Sequence, residues 1–389
     1  MRQKAASGPP LAYAVGVDPV LLLQKLVAID STSSRSNIPV VDLLEELVRP
    51  LGFETRRLDW RDANGVEKTN LVCRRGPDVP GGLALVGHTD CVPFDPDWGE
   101  ALSGVVRDGK VHGRGSADTK GFVATAVAVA ARTKAMAMAK PLHLLFTSDE
   151  EVGCWGAKML LRERRVKPRH AIVGEPTTLV PVRAHKGYCA VDVTVTGIEG
   201  HSAFPDVGAS AIRAAGRLLA EVERLQEEVK DEQDPLFAPP WTTFNVGLIR
   251  GGKARNILAG ECTFSLEWRP IPGQDPERAL RLFEAAAARV AAATGPGVRV
   301  EHTPMRLDEA AVTSADAEIV RFLEEESGSR SRTIPFGTEL PELAAMGAEG
   351  CVFGPGDIRV AHRTGEYVEI AQLERCAGIL ERAVARFCV

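Results

Sequence analysis

The sequence predicts an α/β protein: a mostly parallel sheet covered by helices, interrupted by a smaller inserted domain of β-α-β-β-α-β order. Three observations predict it. Runs that are apolar throughout alternate with helical stretches in the first half of the chain. From residue 187 the strands switch to strict apolar–polar alternation, and after residue 305 the uninterrupted apolar signal returns.

TNLVC from 69, LALVG from 83, LHLLF from 142 and AIVG from 171 are expected strands buried on both faces. GFVATAVAVAARTKAMAMA from 121 and CWGAKMLLRERR from 154 are the helices of this part. The alternation of YCAVDVTVTG then marks a half-buried strand, followed by the amphipathic helix GASAIRAAGRLLAEVERLQEEV. Two strands (TTFNVGLIRGG, CTFSLEWRPI), the helix DPERALRLFEAAAARVAAA and the strand VRVEHTPM complete a ferredoxin-like order. The expected organisation is a discontinuous α/β domain over 1–186 and 305–389, finished by GCVFGPGD and the helix IAQLERCAGILERAVARF, with a second domain inserted over 187–304.

Bulk properties exclude several function classes. A chain of 389 residues is long enough for two cores. The 47 basic and 52 acidic residues are interspersed, leaving a net charge of −5, so neither a nucleic-acid footprint nor a polybasic membrane patch is expected. No run approaches the roughly 18 apolar residues of a membrane span. The start, MRQKAASGPPLAYAVGVD, has early basic residues, but Asp18 interrupts its apolar piece before a leader develops. Eight dispersed cysteines without a C-x2-C pair are expected to be reduced and buried, which suits a cytoplasmic protein.

Chemistry is announced at the strand ends. His88 and Asp90 follow LALVG, Glu150 and Glu151 follow LHLLFTSD, Glu175 follows AIVG, and Asp118 lies in GRGSADTKG just before a helix. The carboxyl ends of parallel strands are where such sheets bind ligands, so these groups should converge. Five carboxylates in one crevice cannot all stay ionised without counter-charge. No lysine or arginine cluster is interleaved to supply it, whereas a pair of divalent cations would. Imidazole and carboxylate donors without cysteine suit catalytic zinc, with cobalt or manganese as substitutes. In the HTD spacing one residue can bind metal while the other accepts the imidazole's second N–H. The adjacent Glu150 and Glu151 point different ways, so one can ligate while the other moves a proton.

GHTDCVPF, GRGSADTKG, TSDEEVG, VGEPT, GHSAFP and GPGDIRVAH, in this order, together resemble the M20 family of dinuclear zinc aminoacylases and peptidases, from about residue 20 to the C-terminus. EPTTLVPVRAHKG, GGKARNILAGECTFSLEWRPIPG and PFGTELP resemble the branch that deacetylates acetylornithine. The resemblance implies a zinc-peptidase-like catalytic domain with a lid and dimerisation domain over 187–304, and a homodimer formed through the lids. It implies one metal held by His88, Asp118 and Glu175 and a second held by Asp118, Glu151 and His362, with Asp118 bridging. Glu150 then matches the general base and Asp90 the partner of His88. His201 matches a lid histidine that stabilises the oxyanion in the neighbouring subunit's site. Asn256 and Arg269 match residues that hold a substrate carboxylate, Thr338 lies on a substrate loop, and Glu339 is the acid assigned to the substrate's side-chain ammonium. The implied reaction is hydrolysis of N2-acetyl-L-ornithine to ornithine and acetate, a step of arginine biosynthesis.

Acetylcitrulline deacetylation, succinyl-diaminopimelate desuccinylation and dipeptidase or carboxypeptidase action would use the same two-metal core. A catalytically inactive binding protein of the same fold would lack a ligand or the base, and every such position is filled. After the HTD motif the chain reads DPDWGEALSGVV where relatives continue toward a W...DPF-like segment, so the pocket rim is its own. His112, His143, His170, His185 and His302 are assigned to structure or surface, and Cys91 and Cys154 to packing. GRGSADTKG lacks the GxxxxGK[ST] arrangement of a phosphate loop.

Overall fold

In chain order the principal elements are α1 (Pro19–Val27), α2 (Ile38–Val48), β1 (Glu54–Arg61), β2 (Glu67–Arg75), β3 (Leu83–His88), α3 (Gly121–Arg132), β4 (Leu142–Thr147), α4 (Trp155–Glu163), β5 (His170–Val173), β6 (Val182–His185), β7 (Tyr188–Thr196), α5 (Ala211–Val229), β8 (Thr243–Gly251), β9 (Glu261–Arg269), α6 (Glu277–Thr294), β10 (Arg299–Asp308), α7 (Glu318–Ser327), α8 (Leu340–Ala345), β11 (Glu349–Val352) and α9 (Ile370–Cys388). They are taken from a computed structural model that describes residues 17–389. Residues 1–16, on which most of the leader argument rests, lie outside the described residues. No helix among the described residues is long and apolar enough to cross a membrane.

Two compact units divide the chain. One runs to Thr147 and includes Gly174–Leu179 and Gly354–Val389; the other comprises Ser148–Val173 and Val180–Phe353. These bounds differ from a split at 186/187 and 304/305, because α4, β5, β6, β11, α7 and α8 group with the inserted segment.

In the first unit β3 and β4 are buried along their whole length, as apolar runs covered on both faces must be. They pair in parallel, and β4 continues antiparallel to β2 and β2 to β1, so the sheet is mixed. Strand direction is reversed by the hairpin after β1, where the Asp62 carboxylate accepts the N–H groups of Asn64 and Val66 and Gly65 takes φ +80°. α1 begins at Asp18, whose carboxylate accepts from Val20 and Leu21, with Pro19 in the first turn.

The helix expected over 121–139 stops at Arg132. Its last carbonyls are taken by a side chain from another strand: the buried Arg75 guanidinium donates to Ala130 O at 2.8 Å and Thr133 O at 3.2 Å. Thr133 turns its own hydroxyl back on Val129 O at 2.8 Å.

In the second unit β7, β8, β9 and β10 form a four-stranded antiparallel sheet in the order β8-β9-β7-β10. The period-2 pattern puts Cys189, Val191, Val193 and Val195 on one face with Phe264, Leu266 and Trp268, under Leu218, Val222 and Leu225 of α5 and Phe283 of α6. β10 is longer than expected and runs three residues past Met305 to Asp308. The same unit holds β5 parallel to β11 and β11 antiparallel to β6.

Candidate metal centre

Because β3 and β4 are parallel neighbours, their carboxyl ends open on one edge. The Thr89 N–H and hydroxyl both donate to Thr147 O, at 2.8 and 2.7 Å, and lock the two ends together. His88 is the last residue of β3 and is buried.

Its Nδ1 donates to the Asp90 carbonyl at 3.0 Å and lies 3.5 Å from Asp90 Oδ1, and Asp90 is itself held by the Ser33 hydroxyl at 2.7 Å. That commitment leaves the Nε2 lone pair to face Asp118 Oδ1 at 3.1 Å. On the other carboxylate oxygen, His362 Nε2 stands 3.0 Å from Asp118 Oδ2. One imidazole nitrogen therefore faces each oxygen of a single buried carboxylate. Lone pairs cannot oppose an anion at this range without positive charge between them, which either protons or metal ions supply. Burial disfavours the charged form of both partners, but the mutual attraction wins: Asp118 is held well below the usual carboxylate range by His362 and His88, and His88 is held well above its ordinary value by Asp118 and Asp90. This donor set of imidazole and carboxylate, with His88 and Asp118 among the groups placed to hold a metal ion, fits a divalent cation.

His362 is half exposed and adopts φ +58°, a left-handed backbone uncommon for residues other than glycine. Glu175 is buried and sits on the same edge. The preceding Gly174 donates its N–H to Val86 O at 2.8 Å, and its carbonyl accepts the Thr119 hydroxyl at 2.8 Å, tying Glu175 to the residue after Asp118.

In the second unit, Glu150 and Glu151 lie in the turn Ser148–Cys154 that leaves β4. Glu150 is buried and Glu151 half-buried, as neighbours pointing different ways should be. Glu150 Oε1 accepts the Cys154 thiol at 3.4 Å and lies 3.8 Å from Arg306 Nη2. Cys154, assigned above to packing alone, is thus a polar contact of Glu150. Arg306 escaped the sequence analysis. Burial opposes its charge, but Cys154, Glu150 and Asp308 outweigh that and hold it protonated. It also lies 4.8 Å from the Tyr188 ring centroid.

The substrate residues separate into two groups. His201 and Asn256 come together on a small ladder in which His201 pairs with Ile257 and the Ser202 N–H donates to Asn256 O at 3.1 Å; both residues are exposed. Arg269 sits at the other end of β9, its guanidinium 3.5 Å from the Tyr188 ring centroid and its carboxylate neighbour Glu267 a loose 3.7 Å away. The eight steps of β9 alone put about 26 Å between these ends, at about 3.3 Å per residue. Arg269 and the start of β9, which follows Asn256, are thus at opposite ends of one strand.

Thr338 and Glu339, expected to face substrate, are each only 1% exposed. Burial pushes His185 down to about 4, so its neutral ring donates from Nδ1 to Lys186 O and accepts the Thr338 hydroxyl at Nε2, 3.1 Å away. The same hydroxyl oxygen accepts the Leu340 N–H at 3.2 Å, so Thr338 holds the start of α8 rather than offering a hydroxyl to a ligand. Glu339 is the residue preceding α8, where its carbonyl accepts the Leu343 N–H. All eight cysteines are free and buried.

The profile of "Peptidase family M20/M25/M40" matches residues 84–386. The chain is 50% identical to the acetylornithine deacetylase of Myxococcus xanthus over 94% of its own length and 96% of the relative's. It is 32% identical to the acetylornithine deacetylase of Proteus mirabilis over 93% of each chain. Among solved structures, an M20 family metallo-carboxypeptidase of Sulfolobus solfataricus superposes with a TM-score of 0.76 at 15% identity, covering 94% of this chain and 98% of that one, which speaks for the α/β fold alone. With the family pattern matched over residues 84–386 and a relative 50% identical over 94% of its length, the chain belongs to the peptidase family M20/M25/M40.

Proposed function

We propose that this protein is a dinuclear metal-dependent amidohydrolase that removes the acyl group of an N-acyl amino acid, with N2-acetyl-L-ornithine as its substrate and ornithine and acetate as products. The observation that carries this is the Asp118 carboxylate with an imidazole nitrogen on each of its oxygens. His88, Asp118 and Glu175 would hold one ion, and Asp118, Glu151 and His362 the other; zinc suits the donors, with cobalt as a substitute. The 50% identity to a deacetylase named for acetylornithine supports the substrate, and with it a cytoplasmic place in arginine biosynthesis.

Bound ions would acidify a water molecule and polarise the scissile carbonyl. Glu150 takes the proton as the water oxygen bonds to the carbonyl carbon, and returns it to the nitrogen as the C–N bond breaks. Arg306 lies 3.8 Å from its carboxylate and brings a positive charge beside it. Arg269 has only a loose carboxylate neighbour and is open to the substrate's α-carboxylate. A panel of acetylornithine, acetylcitrulline, acetylmethionine and succinyl-diaminopimelate, assayed with zinc and with cobalt, tests the substrate: acetylornithine should have the highest kcat/KM. A higher value for any other member would replace it, and absence of bound metal after reconstitution would favour an inactive binding protein.

Homodimerisation through the inserted domain is supported by two features. Phe204, Val207, Leu248 and Ile249 are all more than half exposed there, and β8 is an edge strand. The separation along β9 between the His201 ladder and Arg269 is compatible with His201 acting in a neighbouring subunit's site, where its imidazole would donate to the developing oxyanion. His201→Ala should lower kcat with metal content unchanged. Coexpressed equally with Glu150→Ala, it should recover about a quarter of wild-type turnover, because half the dimers are mixed and one of their two sites is complete. No recovery would place the histidine's action within one chain.

A further inference from the structure

The geometry points to Glu366, with Arg114, as a positioning residue for the bridging aspartate. Glu366 has no exposed surface, and its carboxylate is shared out completely. Oε1 accepts the backbone N–H of Ala117 at 3.0 Å and of Asp118 itself at 3.2 Å; Oε2 accepts Arg114 Nη1 at 2.5 Å. A third tie joins the same segments, from the Gly113 N–H to Glu366 O at 3.0 Å.

Arg114 extends the clamp. Its Nη2 donates to Pro93 O at 3.2 Å, three residues past Asp90 in sequence, and its guanidinium lies 5.5 Å from the Trp98 ring centroid. Glu366 itself is four residues past His362. The pair therefore connects three loops: the one after His88, the one that carries Asp118, and the one that carries His362. Each of those loops brings a nitrogen or oxygen to the Asp118 bridge, and only a rigid junction keeps both imidazoles on one carboxylate.

The chemistry calls for a carboxylate at this position. Oε1 takes two N–H donors and Oε2 takes a cationic one, and an amide would turn an NH2 toward one of these donors. The charge is compensated by Arg114 at hydrogen-bond distance, which a buried carboxylate requires. Because the N–H of Asp118 is one of the groups held, the orientation of its side chain is inherited from Glu366.

This inference rests on the dinuclear reading proposed above, and the test keeps the two apart. Wild-type protein is stripped of metal and titrated with zinc and with cobalt, following stoichiometry, affinity and the cobalt electronic spectrum, alongside the thermal stability of the metal-free form. Two ions bound by the wild type are needed for the function; none bound would defeat that proposal, not this one. Glu366→Gln should fold, retain the substrate KM, and bind its ions about 10- to 100-fold more weakly, with an altered cobalt spectrum. Arg114→Lys, which keeps the charge but loses the second arm to Pro93 O, should show a smaller shift in the same direction, and it carries the test if Glu366→Gln does not fold. Wild-type affinity and spectrum in whichever variant folds would overturn the positioning role and leave Glu366 and Arg114 as a fold-stabilising pair. Weakened binding that merely tracks a loss of metal-free stability would overturn it too.

Discussion

Asp118→Asn is expected to empty both metal positions and reduce turnover more than any other single substitution in the first unit. Asparagine keeps the size of the side chain but replaces one acceptor oxygen with an NH2 group and removes the charge. That NH2 would face the nitrogen of either His88 or His362, each of which stands about 3 Å from an Asp118 oxygen. One cation would lose its ligand outright, and the other would face an uncharged one. Removing a single oxyanion donor from an active site costs on the order of 10²- to 10³-fold in kcat, and here two ions are lost with one atom, so a larger fall follows. Metal analysis after exhaustive dialysis checks it: fewer than one ion per chain is expected, and two ions retained at wild-type affinity would remove Asp118 as the bridge.

A second consequence concerns what the imidazoles do without metal. With the ions absent, Asp118 is stabilised as an anion by His362 and His88, which is why its carboxyl lies so low. The variant is expected to lose affinity by losing a ligand rather than by collapse. Comparing metal-free stability of the two proteins separates these causes.

The parts of this molecule that were legible in the sequence are those whose residues answer to their immediate neighbours. β3, β4 and β5 were visible because a strand covered on both faces is apolar at every position, and β7 because one covered on one face alternates. His88 and Asp118 were visible because strand ends and loops before helices are where charge gathers. β1 was not, since ETRRLDWR is a half-exposed edge strand whose pattern carries little apolar signal. The early end of α3 depends on Arg75, which lies 55 residues upstream of the carbonyl it caps at Ala130. Glu366 finds Arg114 across 252 residues, and nothing in the local composition of HRTGEY announces that contact. Arg306 was hidden by its place at a strand end just past the expected domain boundary. Thr338 was placed by motif in a substrate loop, but a buried histidine from β6 claims its hydroxyl, a tertiary fact that no local pattern encodes.

The substitution with the largest expected effect in the second unit is Glu150→Gln. Glutamine preserves the shape and can still accept the Cys154 thiol, now 3.4 Å from Oε1, so the turn Ser148–Cys154 should keep its form. What it cannot do is accept a proton from water, and the adjacent Glu151, a metal ligand in the proposed centre, would not be free to replace it. A positioned general base contributes about 10²- to 10⁴-fold, roughly 3–5 kcal/mol of barrier, and in the proposed cycle Glu150 would serve twice, first as base and then as acid toward the leaving nitrogen. A fall in kcat at or above the upper end is therefore expected, with two ions still bound and KM little changed. Loss of metal together with activity would recast Glu150 as a ligand. Turnover within tenfold of wild type would move the proton transfer to another group, and Arg306→Lys then becomes informative: a lysine retains the charge beside Glu150 but drops the fork that reaches Asp308 and Cys154, so a kcat that falls in Arg306→Lys while Glu150→Gln is tolerated would locate the needed charge on the arginine itself.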